Sequence, residues 1–344
     1  MSQPLRIGVI GAGGNTRAKH IPGFQGISGV AVTAVCNRTK ESGEKVAREF
    51  GIPVVAASWQ EIVESPEIDA VCIGTWPNLH AELTIAALRA GKHVLTEARM
   101  ACNLAEAEMM LGESRLHPGL VAQIVPAPMS LPFDATIGEL IQSGALGSLR
   151  EICLTCTHDA FADSAKPRSW RQDSALSGKN TLYLGIYYEM TLRWLGRGVS
   201  AVVADATIFT KERKDEEGVP WPTTIPESVT VLGSYADGAR LVAHFSGVER
   251  TPPRNEIRLN GSRAGLRLDL AGNELWLTRV GEAETRVEIA AENRGAWRVE
   301  ADFVDSIRDG KPVRLTDFAT GVKYMRFTEA VWESWSAFGQ RVTL

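Results

Sequence analysis

The feature that most constrains the fold is an apolar run followed at once by a glycine-rich turn. The run is Leu5–Ile10, and the turn reads Gly11-Ala12-Gly13-Gly14-Asn15-Thr16. The run predicts a buried parallel strand, and the glycines predict a tight turn that opens a helix. Backbone N–H groups at such a turn can approach a pyrophosphate. The pattern predicts a dinucleotide site, although Thr16 stands where a third glycine is expected. An ordinary strand–turn–helix without a ligand is the alternative.

The first third of the chain alternates short apolar runs with helical stretches. We expect strands at 5–10, 30–35, 54–56, 70–74, 93–96 and 120–124, and helices near 15–25, 40–50, 58–64, 78–90 and 103–115. Such alternation predicts an α/β fold with a doubly wound parallel sheet. Prolines then interrupt the pattern, so we expect one domain at 1–124 and a second at 125–344.

The second part of the chain is rich in strands. We expect helices at 133–143 and 181–195 and strands at 149–157, 201–209, 228–235, 239–247, 255–260, 265–269 and 274–278, followed by helices at 298–309 and 318–338. Successive strands predict an α+β domain with an open, mostly antiparallel sheet. The charged stretch 211–217 is expected to be a solvated loop, with a lid as the alternative.

Composition excludes several classes of partner. The chain has 344 residues, 44% of them hydrophobic, and a formal net charge of −4, which is typical of a globular protein. No run of Lys or Arg indicates nucleic acid or a membrane surface. No apolar stretch could span a bilayer, and no signal peptide is evident, so a cytoplasmic protein is expected. Cys153 and Cys156 would point to opposite faces of one strand, so we expect no metal site.

Specific motifs follow the fourth and fifth expected strands. They read Thr75-Trp76-Pro77-Asn78-Leu79-His80 and Gly91-Lys92-His93-Val94-Leu95-Thr96-Glu97, and the second half contains Ser169-Trp170-Arg171 and Leu184-Gly185-Ile186-Tyr187. In this order, over essentially the whole chain, they resemble the glucose–fructose oxidoreductase/inositol dehydrogenase/MocA (Gfo/Idh/MocA) family. The resemblance implies a Rossmann domain, bound NAD(P), and hydride transfer at a sugar or polyol carbon. It also implies a homodimer or homotetramer built on the open sheet.

Cofactor contacts are expected mainly from the first domain. The second strand ends in Asn37-Arg38-Thr39, which lacks the carboxylate that binds the ribose of NAD. Because Arg38 with Thr39 can hold a 2′-phosphate, we expect NADP rather than NAD. The alternative is that Arg38 faces solvent at the start of a helix. The expected cofactor-binding residues are Gly11, Gly13, Gly14, Asn15, Thr16, Asn37, Arg38, Thr75, Trp76, Asn78, His80 and Glu97, with Trp170 and Arg171 added by the resemblance.

The catalytic motifs of the family are altered. Its E-K-P motif reads Glu97-Ala98-Arg99, and its D-x-G-x-H motif reads Tyr183-Leu184-Gly185-Ile186-Tyr187. Tyrosine in the histidine position is known in the glucose–fructose oxidoreductase branch. The resemblance therefore implies that Tyr187 is the acid or base.

Helical spacing offers a replacement for the missing lysine. Lys179, Tyr183 and Tyr187 would share one helical face, and a nearby ammonium lowers the pKa of a tyrosine. A tyrosine tuned in this way can act as a general acid or base, and Arg99 can supply further positive charge. The alternative is that the tyrosines are core aromatics and that Lys179 is solvated.

The substrate is expected to meet His158, Lys166, Arg168 and Asp173. For His158, at the end of a strand, a purely structural role is the alternative. Several cations here would suit a carboxylated or sulfated sugar. Three functions stay open: a sugar or polyol oxidoreductase; a redox-neutral lyase, hydratase or glycosidase that uses bound NAD(P) transiently or not at all; and a non-catalytic regulatory protein that binds the nucleotide.

Overall fold

A computed structural model describes residues 3–344. The chain forms two compact units. One comprises the residues up to Pro126 together with Arg298–Val322, and the other comprises Ala127–Trp297 together with Lys323–Leu344. The return of residues 298–322 to the first unit differs from the expected division at 124/125, because it depends on contacts between distant parts of the chain.

The strands are, in chain order, β1 Leu5–Ile10, β2 Val30–Cys36, β3 Val54–Val55, β4 Ala70–Ile73, β5 His93–Thr96, β6 Ala122–Ile124, β7 Leu149–Thr157, β8 Ala201–Thr207, β9 Glu212–Lys214, β10 Pro220–Pro222, β11 Ser228–Ser234, β12 Arg240–Ser246, β13 Asn255–Gly261, β14 Ala264–Asp269, β15 Glu274–Arg279, β16 Thr285–Arg286 and β17 Val342–Thr343.

The α-helices are α1 Ile21–Gln25, α2 Lys40–Phe50, α3 Trp59–Glu64, α4 His80–Arg89, α5 Leu104–Leu116, α6 Asp134–Gln142, α7 Ser174–Ser177, α8 Leu184–Leu195, α9 Val299–Asp309 and α10 Phe318–Ser336. A π-helical turn, Thr16–His20, leads into α1. Short 3₁₀ turns lie at Pro77–Leu79, Trp170–Gln172 and Ala291–Asn293.

The first unit is built on a six-stranded sheet with the order β3-β2-β1-β4-β5-β6. All of its strand pairs are parallel, and β4 is buried along its whole length because helices cover such sheets on both faces. The order and direction confirm the predicted doubly wound Rossmann sheet. The strand order reverses between β1 and β4, and ligands of open α/β sheets bind at the carboxyl ends beside such a point.

Local sequence signals fix several helix ends in this unit. Thr39 accepts a hydrogen bond from the N–H of Ser42 at the start of α2, and Asn103 accepts one from Glu106 at the start of α5. Gly51 ends α2 with a φ of 67°, a left-handed conformation that favours glycine. Because these signals are local, the expected helices at 40–50 and 103–115 match the structure to within one residue.

The second unit contains a nine-stranded sheet with the order β16-β15-β14-β13-β7-β12-β11-β8-β17. Only β7 and β12 pair in parallel among its described strands. The predicted open, mostly antiparallel sheet is therefore confirmed. Alternate residues such as Ile152 and Leu154 on β7 are buried, as expected for a sheet with one covered face.

Two local predictions for the second unit are wrong. Helix α8 begins at Leu184 rather than near residue 181, and Leu182 just before it has a φ of 47°. The charged stretch 211–217 contains strand β9, which pairs with β10 in a two-stranded hairpin. It departs from a solvated loop because Arg213, in the middle of the stretch, is buried.

In the part of the chain that the structure describes, the helices fall short of the combined length and hydropathy that a membrane crossing requires.

Candidate functional site

The glycine turn after β1 adopts the shape that a dinucleotide site needs. Gly11 has a φ of 84°, and a Cβ added to it would lie 2.8 Å from the backbone nitrogen of Thr75. The N–H of Arg17 bonds to the carbonyl oxygen of Gly13 at 3.0 Å and closes the first helical turn. Residue 11 is therefore restricted to glycine both by its conformation and by the approach of the loop after β4.

The surface of the turn is open above its next two glycines. A Cβ on Gly13 would meet no atom nearer than 3.8 Å, and one on Gly14 would meet nothing within 4 Å. The first N–H groups of a helix have no partner inside that helix, so those of residues 14–16 are available to an anion. These residues fit the pyrophosphate of a dinucleotide, which a Cβ at either glycine would crowd.

Thr16 replaces the third glycine because a glycine on another strand supplies the space. The Thr16 side chain is buried, and its hydroxyl donates to the Gly11 carbonyl at 3.2 Å. A Cβ on Gly74, which follows β4, would lie 2.0 Å from Thr16 Oγ1. The helical turn that contains Thr16 can therefore still approach the end of β4 closely, because the glycine at this contact is Gly74.

The end of β2 presents one exposed cation. Asn37 Oδ1 accepts from the Ala12 N–H at 2.7 Å, which ties this end of β2 to the glycine turn. Thr39 caps α2. Arg38 is exposed, and its guanidinium lies over the ring of Trp76, 5.8 Å from the centroid. Arg38 and Thr39 are both exposed, and Arg38 is the cation among the three residues of this strand end.

His80 ties two loops of the first unit together. Its ring is fully buried, with Nδ1 2.9 Å from the Arg99 carbonyl oxygen and Nε2 3.1 Å from that of Thr75. Burial lowers the pKa of this imidazole, and the two carbonyl contacts oppose that effect. Arg99 is 7% exposed, and Asn78 is exposed on the 3₁₀ turn. His80 therefore orients the loops after β4 and β5 from inside the fold.

A buried histidine lies between two carboxylates at the end of β5. Nδ1 of His20 is 2.5 Å from Glu300 Oε1, and its Nε2 is 3.0 Å from Glu97 Oε1. Asn15 also donates to Glu97. Although burial opposes the charged form, the two carboxylates raise the pKa of His20 to about 9. The same hydrogen bonds hold the pKa of Glu97 below its usual value, against the opposing effect of burial.

Sequence reasoning missed His20 and Glu300. They are 280 positions apart, and no local pattern marks a glutamate on α9 as a partner of a histidine after the glycine turn. The prediction of Glu97 and Asn15 as site residues stays a prediction; the structure places both on one hydrogen-bonded cluster.

The second unit brings the predicted tyrosines and His158 into one aromatic row. The Tyr183 ring meets that of Tyr187 edge-on at 6.4 Å and that of His158 at 6.1 Å between centroids. Tyr187 is 2% exposed, packs against Phe245 and hydrogen-bonds to Cys156. Tyr183 is 43% exposed. The row therefore has a buried end at Tyr187 and an exposed end at Tyr183.

The predicted activation of Tyr187 by Lys179 is wrong. Lys179 lies before α8 rather than on it, and its ammonium pairs with Glu329. Burial instead raises the pKa of Tyr187 well above its usual value, and the contact with Cys156 adds to this effect. Tyr187 keeps its hydroxyl proton at neutral pH. Lys179, Tyr183 and Tyr187 do not share one helical face, because helix α8 begins at Leu184.

His158 is neutral at pH 7, because burial lowers its pKa. Its Nδ1 accepts from the Ala160 N–H at 3.2 Å. In the neutral ring this places the proton on Nε2, which can donate a hydrogen bond.

The remaining predicted substrate residues lie on the segment between β7 and α7. Arg168 pairs with Asp173 at 2.8 Å and lies 4.4 Å over the Trp221 ring. Arg171 is exposed and lies 4.3 Å over the Trp170 ring, and Lys166 is exposed. Since Asp173 neutralises Arg168, the cationic character expected of this segment rests on Lys166 and Arg171.

Comparison with known proteins decides the family. A model described as "Oxidoreductase family, NAD-binding Rossmann fold" matches residues 5–120, and one described as "GFO/IDH/MocA C-terminal domain" matches residues 135–267. The chain belongs to the Gfo/Idh/MocA family. Its first unit is accordingly a NAD-binding Rossmann domain, and the resemblance read from the sequence motifs is confirmed.

Several relatives have assigned activities. The chain is 27% identical over 219 residues to levoglucosan dehydrogenase of Pseudarthrobacter phenanthrenivorans, covering 60% of this chain and 56% of that protein. It is 29% identical over 187 residues to dTDP-3,4-didehydro-2,6-dideoxy-alpha-D-glucose 3-reductase of Saccharopolyspora spinosa, covering 54% of each. The chain thus spans about half the length of these curated relatives.

A solved structure shares the fold over the full chain. A levoglucosan dehydrogenase in complex with NADH and L-sorbose superposes with a TM-score of 0.89 at 22% identity, covering 98% of each chain. This likeness confirms the fold of both units.

Proposed function

We propose that this protein is an NAD(P)-dependent oxidoreductase that acts on a hydroxyl or carbonyl carbon of a sugar, sugar acid or polyol. The observation that supports it most is the glycine turn of a NAD-binding family domain, with open space above Gly13 and Gly14. The named relatives that act on sugars, among them levoglucosan dehydrogenase, support the substrate class.

The first unit would hold the dinucleotide. The N–H groups of residues 14–16 would bind its pyrophosphate. When bound, NAD(P) supplies or accepts a hydride at a substrate carbon. Arg38 is an exposed cation at the end of β2, where a carboxylate would select the ribose of NAD. We therefore infer a preference for NADP within a family whose domain is described as NAD-binding.

Tyr183, at the exposed end of the aromatic row, would exchange a proton with the substrate oxygen. Tyr183 is 43% exposed, whereas Tyr187 is 2% exposed. We assign the acid or base role to Tyr183, with Tyr187 as the packed support behind it. His158, neutral and protonated at Nε2, would donate a hydrogen bond to a substrate oxygen. In reduction the Tyr183 hydroxyl would donate its proton to the substrate oxygen that the hydride leaves negatively charged, and solvent would return a proton to the exposed phenolate. In oxidation Tyr183 would first release its proton to solvent, and the phenolate would then accept the substrate hydroxyl proton.

The experiment is a spectrophotometric assay. Purified protein is incubated with NADP or NAD and with neutral sugars, polyols and uronic or aldonic acids, and absorbance of the reduced nicotinamide is followed. Turnover with at least one sugar, faster with NADP, is the expected result. Calorimetry that detects no binding of either nucleotide would overturn the proposal.

The altered motif positions favour a second candidate. Ala98 stands where the family has a lysine, and Lys179 is engaged by Glu329 instead of replacing it. A redox-neutral lyase, hydratase or glycosidase would need no net hydride transfer. Product detected by mass spectrometry without a net absorbance change would identify this class. Nucleotide binding without any product would identify a regulatory protein.

A further inference from the structure

A buried ion pair in the second unit takes no part in the aromatic row. Arg213 Nη2 donates to Glu227 Oε1 at 2.9 Å, and the two side chains are 1% and 0% exposed. Burying two charges is costly, and a well-packed apolar pair is often equally stable. A contribution to stability alone therefore does not explain why this ion pair is present. Its other hydrogen bonds show which segment of the chain it holds in place.

Apart from its bonds to Glu227 and to the Thr210 hydroxyl, Arg213 directs its terminal N–H groups to a single stretch of backbone. Nη1 donates to the carbonyl oxygens of Asp163 at 2.6 Å and Lys166 at 3.3 Å, and Nη2 donates to that of Phe161 at 2.6 Å. In the described structure, residues 158–169 contain neither a strand nor a helix. One guanidinium thus supplies the hydrogen bonds that regular secondary structure would otherwise supply.

Glu227 holds the far end of the same stretch. Its Oε1 accepts from Gln172 Nε2 at 3.2 Å, and Gln172 Oε1 accepts from the Ser169 N–H at 3.1 Å. Its Oε2 accepts from the N–H groups of Phe209 and Thr210 at 3.1 and 2.8 Å. Four donors therefore surround one carboxylate, and the ion pair links both ends of the segment to the chain before β9.

The segment held in this way carries the candidate substrate residues. The Phe161 ring, whose carbonyl Arg213 binds, meets the His158 ring edge-on at 5.8 Å. The N–H of Arg168 bonds to the carbonyl of Lys214, next to Arg213 on β9, at 2.7 Å. We propose that Arg213 and Glu227 are positioning residues that fix residues 158–173 for binding of the sugar substrate, an inference that rests on the proposed function.

Two variants separate positioning from general stability. Arg213→Met with Glu227→Gln removes both charges together, so no unpaired charge stays buried. Arg213→Lys keeps the charge but lacks the planar fork that reaches three carbonyls. The control is Arg267→Met with Glu284→Gln, which removes the charges of a bidentate, more exposed pair in the same unit that has no bond to the segment.

The first readout is limited trypsin digestion with mass spectrometry, which needs no substrate. We expect cleavage after Arg168 and Arg171 to accelerate by on the order of tenfold in the double variant and less in Arg213→Lys, with the control unchanged. If the double variant does not fold, Arg213→Lys carries the test. Cleavage at the wild-type rate in a folded variant of Arg213 would overturn the proposal.

The second readout is kinetic. We expect KM for the sugar to rise about tenfold or more, with the KM for the nucleotide unchanged and kcat reduced less. An equal fall in kcat with unchanged sugar KM would contradict positioning of the substrate segment. If wild-type protein turns over no sugar, the proposed function fails while the digestion experiment still decides the positioning role.

Discussion

The protonation of His20 makes a quantitative prediction about stability and pH. His20 lies between Glu97 and Glu300, and its pKa in the folded protein is about 9 instead of 6.5. At about 1.4 kcal/mol for each unit of pKa, this shift corresponds to roughly 3 kcal/mol of folding free energy. Because the folded pKa is raised, this contribution is fully present below pH 6.5 and is lost as the pH rises through about 9.

The perturbation is His20→Gln combined with Glu300→Gln, which removes the imidazolium and one of its carboxylate partners together. His20→Gln alone would leave the buried Glu300 and the half-buried Glu97 without their cation, and we expect it to cost on the order of 3–5 kcal/mol. The double variant keeps polar groups at both positions and has no group that titrates as His20 does.

The assay is urea unfolding at a series of values from about pH 6 to about pH 10, with the free energy of unfolding compared between wild type and double variant. We expect the wild type to lose roughly 3 kcal/mol more than the variant over this range. Subtracting the variant removes the titration of other lysines, cysteines and tyrosines. A difference between the two proteins that stays constant with pH would mean that folding does not raise the pKa of His20, and would refute the assignment of an imidazolium between the two carboxylates.

Three further predictions follow from the two units. Tyr183→Phe should reduce kcat by on the order of 10²-fold, whereas Tyr187→Phe should cost only a few-fold; the opposite order in steady-state assays would return the acid or base role to Tyr187. Arg38→Ala should raise the KM for NADP by about tenfold and leave that for NAD nearly unchanged, with Lys40→Ala as the control; equal effects on both nucleotides would contradict the 2′-phosphate contact. Gly74→Ala should destabilise the protein by about 1–3 kcal/mol in urea unfolding and weaken nucleotide binding in calorimetry, because its Cβ would meet Thr16 Oγ1 at 2.0 Å; a variant with wild-type stability would show that this contact relaxes freely.

Much of the fold could be predicted from local sequence. An apolar run encodes strand β1. The turn after it is encoded by glycines, of which Gly11 has a positive φ that favours glycine. Helix caps such as Thr39 act within three residues. These signals predict the parallel sheet, the mostly antiparallel sheet and most of the bounds of helices and strands, because periodicity and capping depend on neighbours in the chain.

The candidate site could be predicted only in part, and the misses share one cause. Thr16 departs from the glycine fingerprint, and the residue that compensates, Gly74, belongs to a different strand end. Lys179 has the spacing to tune a tyrosine, yet its partner is Glu329, 150 positions away. A side chain's charge partner and burial depend on packing between distant segments, which spacing along one helix does not encode.

The sequence by itself determined the family, the Rossmann sheet and the position of the dinucleotide turn, since each depends on short motifs in a fixed order. Tertiary structure alone decided the protonation of His20, the neutral state of His158, the burial of Tyr187 and the buried ion pair between Arg213 and Glu227. The physical reason is that a pKa or a buried ion pair is set by the groups that folding gathers around it, and those groups come from anywhere in the chain.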